Sequence, residues 1–220
     1  MGDEFTCYAE TSSPAGMRHQ SPAWQVLLSW DGPVTAVDER GRVTSGAGVL
    51  VPPRLRIADR NAGGITVLWI DPHGLVVPRE PRIHALERTQ VRRLLAATDG
   101  DLDPARVRGT VRRVLGGPVR LDPRLRRVLD VLDEDVPIEA LADVAGISPR
   151  RLRQLAAPAF GGSLTMLRRW HRLREAGLRL PFTAAAEVAA QTGFSDQAHL
   201  IRTSVALCGR TPGSSAARRA

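Results

Sequence analysis

The sequence predicts an α+β chain: a small β-barrel in the front half, then an all-α region with two helix-turn-helix motifs joined by a long helix. Three observations predict it. Short apolar runs closed by Gly/Pro turns crowd the first 85 residues. From about residue 87 the apolar period changes from that of strands to that of helices. The last hundred residues repeat one turn pattern at a shift of 47.

The strands come first. Trp24–Trp30 is apolar and stops at Asp31-Gly32-Pro33, a turn signal. Val34–Asp38 follows and ends at Glu39-Arg40-Gly41. Gly48–Val51 runs into Pro52-Pro53. Ile65–Ile70 is rich in β-branched residues and is closed by Asp71-Pro72; Leu75–Val77 is a further short run. Strands this short, at this spacing, indicate a small barrel or sandwich.

The helices follow. Val107, Val111, Val114 and Leu115 fall at i, i+4, i+7 and i+8; Leu125, Val128, Leu129 and Leu132 fall at i, i+3, i+4 and i+7. Each set forms one apolar stripe. Gly116-Gly117-Pro118 breaks the helix over 105–115. Thr98–Asp103 and Gly116–Pro123 are the expected linkers. The chain thus divides into residues 1–85 (barrel), 86–121 (helical linker) and 122–220 (the two motifs). The stripes of the middle segment suit a dimerisation surface and packing against the barrel equally.

Charge separates the halves. All 31 basic residues are arginine, and the formal net charge is +8. Residues 1–85 carry 8 arginines against 9 acids, residues 86–121 carry 8 against 4, and residues 122–220 carry 15 against 10. The excess lies in the back half, which points to a polyanion, most often nucleic acid. No apolar run approaches the ~20 residues that cross a bilayer. The acidic start Met1–Glu10 lacks the order of a secretory signal. Cys7 and Cys208 show neither metal-ligand nor disulfide spacing. A soluble, cytoplasmic protein with no membrane partner is expected.

The repeat carries the functional signal. Ile138–Ser148 aligns with Ala185–Ser195 at a shift of 47; Leu152 and Gly161 align with Leu200 and Gly209 at a shift of 48. Each copy has a short helix with small and aliphatic residues on one face: Leu141, Ala142 and Ala145, then Val188 and Ala189. Gly146 or Gly193 supplies a left-handed turn residue. An apolar plug follows, Ile147 or Phe194, and then a serine, Ser148 or Ser195, to cap a second helix. Pro149 suits the first helical position. Helix, tight turn, helix is the arrangement whose second helix enters a major groove. Ser163–Leu180 reads as one helix between the copies, and eighteen residues span about 27 Å. With the flanking helices added, the recognition helices stand about one DNA turn apart.

These residues resemble the AraC/XylS family of bacterial transcription regulators. The resemblance rests on Leu141-Ala142, Ala145-Gly146-Ile147-Ser148-Pro149, Leu152 and Arg172–Ala176. Its most specific part is Val188-Ala189, Gly193–Gln197, His199-Leu200, Arg202, Gly209 and Thr211-Pro212. It covers roughly residues 122–220. More loosely, His19 with Trp24–Val26 and Val49–Pro53 looks like that family's cupin-type sensing barrel. The resemblance implies a two-motif DNA-binding domain fused to a ligand-sensing, dimerising barrel. The partners are then double-stranded DNA, a small-molecule effector, RNA polymerase and a second copy of the chain.

In the first recognition helix Leu152 and Leu155 face inward, which leaves Arg150, Arg151, Arg153 and Gln154 open. Arg pairs with guanine and Gln with adenine through two hydrogen bonds each. Arg151 and Gln154 are expected on bases, Arg150 and Arg153 on phosphate, with Ser148 at the helix start. In the second, Gln197, Ala198, His199 and Arg202 are expected at the groove, and the resemblance makes His199 and Arg202 family-typical. Ser195 is expected to cap and to meet phosphate; Asp196 suits the first-turn macrodipole. Thr211 suits a phosphate contact or a plain cap. Of Arg168, Arg169, Arg172, Arg174 and Arg179, most are expected to face solvent, and Trp170 to be core.

Two departures stand out. The family usually has a core phenylalanine in each recognition helix; Ala156 and Ser204 stand there, with Pro158 late in the first. Phe160 is expected to fill part of the first gap. The second motif reads as thinly packed, so Ser204→Phe is expected to raise the melting point. The front half holds only His19, His73 and His84, and Arg56-Ile57 stands where family members often have a histidine, so no metal or other cofactor is expected. No nucleophile–base pair stands out, which argues against an enzyme. His19, Trp24, Gln25, Trp30, Arg54, Arg56 and Trp69 are the candidates for lining an effector cavity; a barrel filled by its own side chains is the alternative. A protein-interaction module with weakened DNA binding is the competing function, and a cupin-type enzyme a third.

Overall fold

The computed structural model describes residues 5–10 (backbone only), 17–61, 63–76, 82–99, 104–117, 120–132, 136–180 and 182–211. The front half is two antiparallel sheets. Its strands are β1 (Phe5–Glu10), β2 (His19–Gln20), β3 (Trp24–Ser29), β4 (Val34–Asp38), β5 (Val43–Gly46), β6 (Gly48–Val51), β7 (Arg56–Asn61), β8 (Ile65–Ile70) and β9 (His84–Leu86). One sheet runs β1-β8-β3-β6-β9 and the other β2-β7-β4-β5.

β3 and β8 are buried along their whole length, and the period of two explains why. Leu27, Ile65, Val67 and Trp69 face the inner core. Trp24, Val26, Leu28, Leu68 and Ile70 face outward, yet are covered by Val91, Leu94, Val107 and Val111. Those four belong to α1 (Arg88–Thr98) and α2 (Pro104–Leu115). The stripes of the middle segment therefore pack on the barrel. A sheet covered on both faces reads as continuous apolar runs.

Leu75 and Val76 are not in a strand. A 3-10 turn, Pro72–Gly74, follows β8; Leu75 plugs the outer cluster, Val76 is exposed, and Val77 lies outside the described residues. Pro72 lacks a ladder donor, and a Cβ on Gly74 would meet Ile70 Cγ2 at 2.4 Å. β7, in turn, carries no apolar run. Ile57 and Asp59 point inward while Arg56 and Arg60 are exposed, so a buried charge hides the alternation.

The back half is helical: α3 (Pro123–Asp130), α4 (Ile138–Ala145), α5 (Pro149–Ala159), α6 (Leu164–Arg179), α7 (Ala185–Gln191) and α8 (Gln197–Cys208). Asp122 caps α3 through the Arg124 N–H, and hydrogen bonding to Arg124 holds its carboxyl down at about 2. The two halves are not separate bodies: one apolar cluster runs from Leu27, Val67 and Trp69 to Leu152, Trp170 and Leu200. Among the described residues, no helix is long and apolar enough to cross a membrane.

Candidate nucleic-acid interface

The two repeats fold alike. α4 ends at Gly146 with φ 66°, and the Ile147 N–H donates to the Ala142 carbonyl at 3.1 Å. α7 ends before Gly193 with φ 74°, and the Phe194 N–H donates to the Ala189 carbonyl at 2.9 Å. Both turns thus need a residue in the left-handed region, where glycine avoids the Cβ clash. Ile147 is half-buried and Phe194 buried, and both pack into the core below.

The caps differ from the expected pattern. Ser148 accepts the Arg151 N–H at 3.2 Å, as expected. In the second copy the cap is Asp196, not Ser195: its carboxylate accepts the His199 N–H at 2.6 Å. The pair Ser148–Arg151 therefore matches Asp196–His199 at a shift of 48. The second turn has one extra residue, Ser195, whose hydroxyl is hydrogen-bonded to His199 Nδ1 at 3.2 Å. A carboxylate at the N-cap also meets the positive end of the helix dipole.

The recognition faces are open. On α5, Arg150, Arg151, Arg153 and Gln154 are exposed, Leu152 is buried, and Leu155 is half-buried. Arg151 Nη1 lies 3.5 Å from Gln154 Oε1. On α8, Gln197, Ala198 and Arg202 are exposed, while His199 is half-buried with its ring edge-on to Phe194 at 5.2 Å. Ser148, Ser195 and Thr211 are exposed beside these helices. The first face carries three arginines and the second one, so charge is concentrated on α5.

The arginines of α6 are not a solvated face. Arg168 donates to the Val136 carbonyl. Arg172 donates to the Gly193 carbonyl at 2.6 Å and stacks over Phe194 at 5.1 Å. Arg174 donates to Asp71 at 2.8 Å, and Arg179 to Glu175 at 2.8 Å. Arg169 is exposed. Arg168, Arg172 and Arg174 thus depart from the expectation and tie α6 to its neighbours, whereas Arg169 and Arg179 are exposed as expected. Trp170 is core, as expected.

Residues 141–218 match the family model of the helix-turn-helix domain. Residues 141–218 are an AraC-type helix-turn-helix domain. No curated protein sequence matches the chain. ToxT from Vibrio cholerae, crystallised with (E)-4-(8-methylnaphthalen-1-yl)but-3-enoic acid, is 9% identical, with 94% of this chain and 96% of that chain covered and a TM-score of 0.61. Apo ToxT gives 11% identity, 96% of each chain and 0.60; ToxT bound to an unsaturated fatty acid gives 12%, 94% and 92%, and 0.58. At such identities the likeness concerns the fold: a cupin-like sheet region followed by the helical domain.

The barrel holds the AraC-type domain at three places. The end of α5 meets it where Phe160 packs edge-on to His73 at 6.0 Å and where Gly161 sits 3.5 Å, by its Cβ direction, from Pro53. The linking helix α6 meets it at Asp71, which accepts Trp170 Nε1 at 2.9 Å and Arg174 at 2.8 Å, while Trp170 lies 5.4 Å from Trp69. The end of α8 meets it at Gly209, whose carbonyl accepts the Met17 N–H at 3.1 Å, and at Arg210, which pairs with Asp59 at 2.6 Å. Asp59, Asp71 and Arg210 were not singled out by the sequence, because lone charged residues carry no motif.

The effector candidates fall on both faces of the barrel. Trp24 faces α1 and α2, with Nε1 donating to the Pro72 carbonyl at 3.3 Å. Trp69 faces Trp170. His19 and Gln25 are buried and hydrogen-bonded to each other; with its proton on Nδ1 facing the Met17 carbonyl, His19 accepts the Gln25 amide at 2.8 Å. Arg54 and Arg56 are exposed, and Trp30 is exposed with Nε1 on Thr66. His19, Gln25 and Trp69 are brought together by the His19–Gln25 bond and by the pairing of Gln25 with Trp69 across β3 and β8, while Trp24 lies on the other face and Trp30, Arg54 and Arg56 are exposed. Among the described residues, no group of three or more His, Cys, Asp or Glu is placed to hold a metal.

The Ser204 expectation is corrected. Ser204 is buried with its hydroxyl donating to the Arg210 carbonyl at 2.8 Å, so the position carries a hydrogen bond that fixes the Asp59 partner. At the first gap, Phe160 is 1% exposed and fills the core beside Ala156, as expected. Pro158 sits in the last turn of α5 on the exposed side.

Proposed function

We propose that the protein is a sequence-specific DNA-binding transcriptional regulator, not an enzyme, whose two recognition helices enter successive major grooves. The observation that carries this reading is the repeated turn. The same left-handed glycine and the same carbonyl bond recur 47 residues apart, and each is followed by a capped helix with an open polar face. α5 reads bases through Arg151 and Gln154 and holds phosphate through Arg150, Arg153 and Ser148. α8 presents Gln197, Ala198, His199 and Arg202, with Ser195 and Thr211 at phosphate. His199 does this with its ring braced on Phe194.

Effector control acts through the barrel, which touches the ends of both motifs and the helix between them. The ToxT structures with a bound fatty acid or butenoic acid support effector control for this fold. On this reading the partners are double-stranded DNA, an effector, RNA polymerase and a second copy of the chain, in the cytoplasm. The 1–85, 86–121 and 122–220 division is kept as the functional one: barrel, brace and reader.

The test is DNA affinity against salt. Logarithmic affinity should fall linearly with logarithmic salt, by a slope of about −0.9 per phosphate neutralised. A protein with no salt-dependent duplex binding is not this regulator.

A further inference from the structure

A cleft of about 620 Å³ lies between the end of α3, the middle of α6 and the end of α7. It belongs to neither recognition face, and the reading above does not use it. Arg168, His171, Arg172 and Arg174 line it, against one carboxylate, Glu175. That carboxylate is already paired with Arg179 at 2.8 Å, so the cleft stays cationic. Its volume falls in the range of small-molecule sites.

Two nitrogens of these side chains lack hydrogen-bond partners. Arg168 Nε and His171 Nε2 are buried without a hydrogen-bond partner. The nearest carboxylate oxygen to His171 Nε2 is Asp71 Oδ2 at 3.7 Å, and that oxygen already accepts from Arg174. Buried polar groups in folded proteins are nearly always paired, so each unpaired one calls for an explanation. Both side chains are half-buried, as are those of Arg172 and Arg174 beside them. Arginine forks bind carboxylate and phosphate with two parallel hydrogen bonds.

We propose that this cleft binds a small polyanion, a free molecule bearing two or more carboxylate or phosphate groups. Arg168 and His171 donate to it, and Arg172 and Arg174 supply the surrounding positive charge. The recognition faces differ: their arginines project into solvent, as suits duplex phosphates, whereas this site is concave. The cleft also sits at a junction. Arg174 leads to Asp71 in the barrel, and Arg172 leads to Gly193 and Phe194 in the second turn, on which the His199 ring packs. A bound anion therefore ties barrel, linking helix and second motif together. Any effect on DNA rests on the regulator reading; the anion binding does not.

The experiment is calorimetric titration of the full chain with citrate and with pyrophosphate at constant ionic strength, alongside thermal melts. Saturable binding of one anion per chain, with a rising melting point, is expected for at least one of the two. Arg168→Gln should weaken it about tenfold, the loss of one charge-assisted hydrogen bond. Glu175→Gln, an exposed change that leaves the core intact, should tighten it. Absence of saturable binding to both anions overturns the proposal. So does binding that neither substitution alters, and so does stoichiometric displacement of the anion by duplex DNA of unrelated sequence, which would make the cleft a backbone-phosphate contact.

Discussion

Asp59 of β7 and Arg210, just beyond α8, form a buried ion pair at 2.6 Å across 151 positions of sequence. Their side chains are 2% and 8% exposed. Burying two charges is costly, so the pair is better read as fixing geometry than as adding net stability. It fastens the barrel to the end of the second recognition helix. Removing one partner leaves the other charge buried: Asp59→Ala should cost about 3–5 kcal/mol in urea unfolding. The double change Asp59→Leu with Arg210→Met should recover much of that loss. A single variant as stable as the parent would mean that the pair is solvated.

Gly209 and Gly146 both lie in the left-handed region, at φ 73° and 66°, but in different surroundings. A Cβ on Gly146 meets nothing within 4 Å. A Cβ on Gly209 would meet His19 Nδ1 at 2.4 Å and the Met17 carbonyl at 2.8 Å. Gly146→Ala should cost about 1–2 kcal/mol, the price of the left-handed backbone alone. Gly209→Ala should cost clearly more, because the barrel must also move away. Equal losses in thermal melts would show that the barrel is not seated on the end of α8.

Ser204→Phe should lower the melting point. The hydroxyl that binds the Arg210 carbonyl would be lost, and a large ring would enter a packed site, at about 1–3 kcal/mol. A higher melting point would restore the underfilled-core reading of the bare sequence.

His171 gives a pH dependence with a definite sign. Burial is the main cause that lowers its pKa from the ordinary 6.5; Arg174 and His73 add to this, while Asp71 opposes it. The folded chain then binds this proton less readily than the unfolded chain. The stability it contributes is present above 6.5 and is lost as pH falls from there through the lowered folded value. The melting point should decline on acidification across that window, and His171→Gln should flatten the decline. An unchanged slope in the variant would place the titration elsewhere.

Arg151→Ala should cost about 1–3 kcal/mol of DNA affinity and relax preference at one base. Arg153→Ala should instead weaken all sequences alike and reduce the salt slope by about one. Competition binding with single-base variants of a bound site separates the two. A uniform loss for Arg151→Ala would make it a phosphate contact.

The repeat made the helical half legible, because its turn chemistry is local. Gly146, Gly193 and Ser148 act where the pattern puts them. Even the misplaced cap left a trace: the shift changes from 47 to 48 between Ser195 and Leu200, which is the extra residue of the second turn. In the barrel, β3, β6 and β8 show as apolar runs and β4 as an alternation, whereas β7 hides behind Asp59 and the edge strand β5 behind its exposure. The contacts between halves were not legible. Asp71 with Trp170 and Arg174 is a relation between residues about a hundred apart, and no local period encodes it. For the same reason the arginines of α6 read as solvated when most are tied inward.

The most direct test of the two-helix reading is selection of bound sequences from a random duplex pool by the full chain at about physiological salt. Two conserved elements separated by about one helical turn, ~10.5 base pairs centre to centre, are expected, with loss of one element in an Arg151→Ala, Gln154→Ala variant. A single element would contradict base reading by the second motif. No enrichment over background would contradict sequence-specific recognition altogether and favour a protein-interaction module.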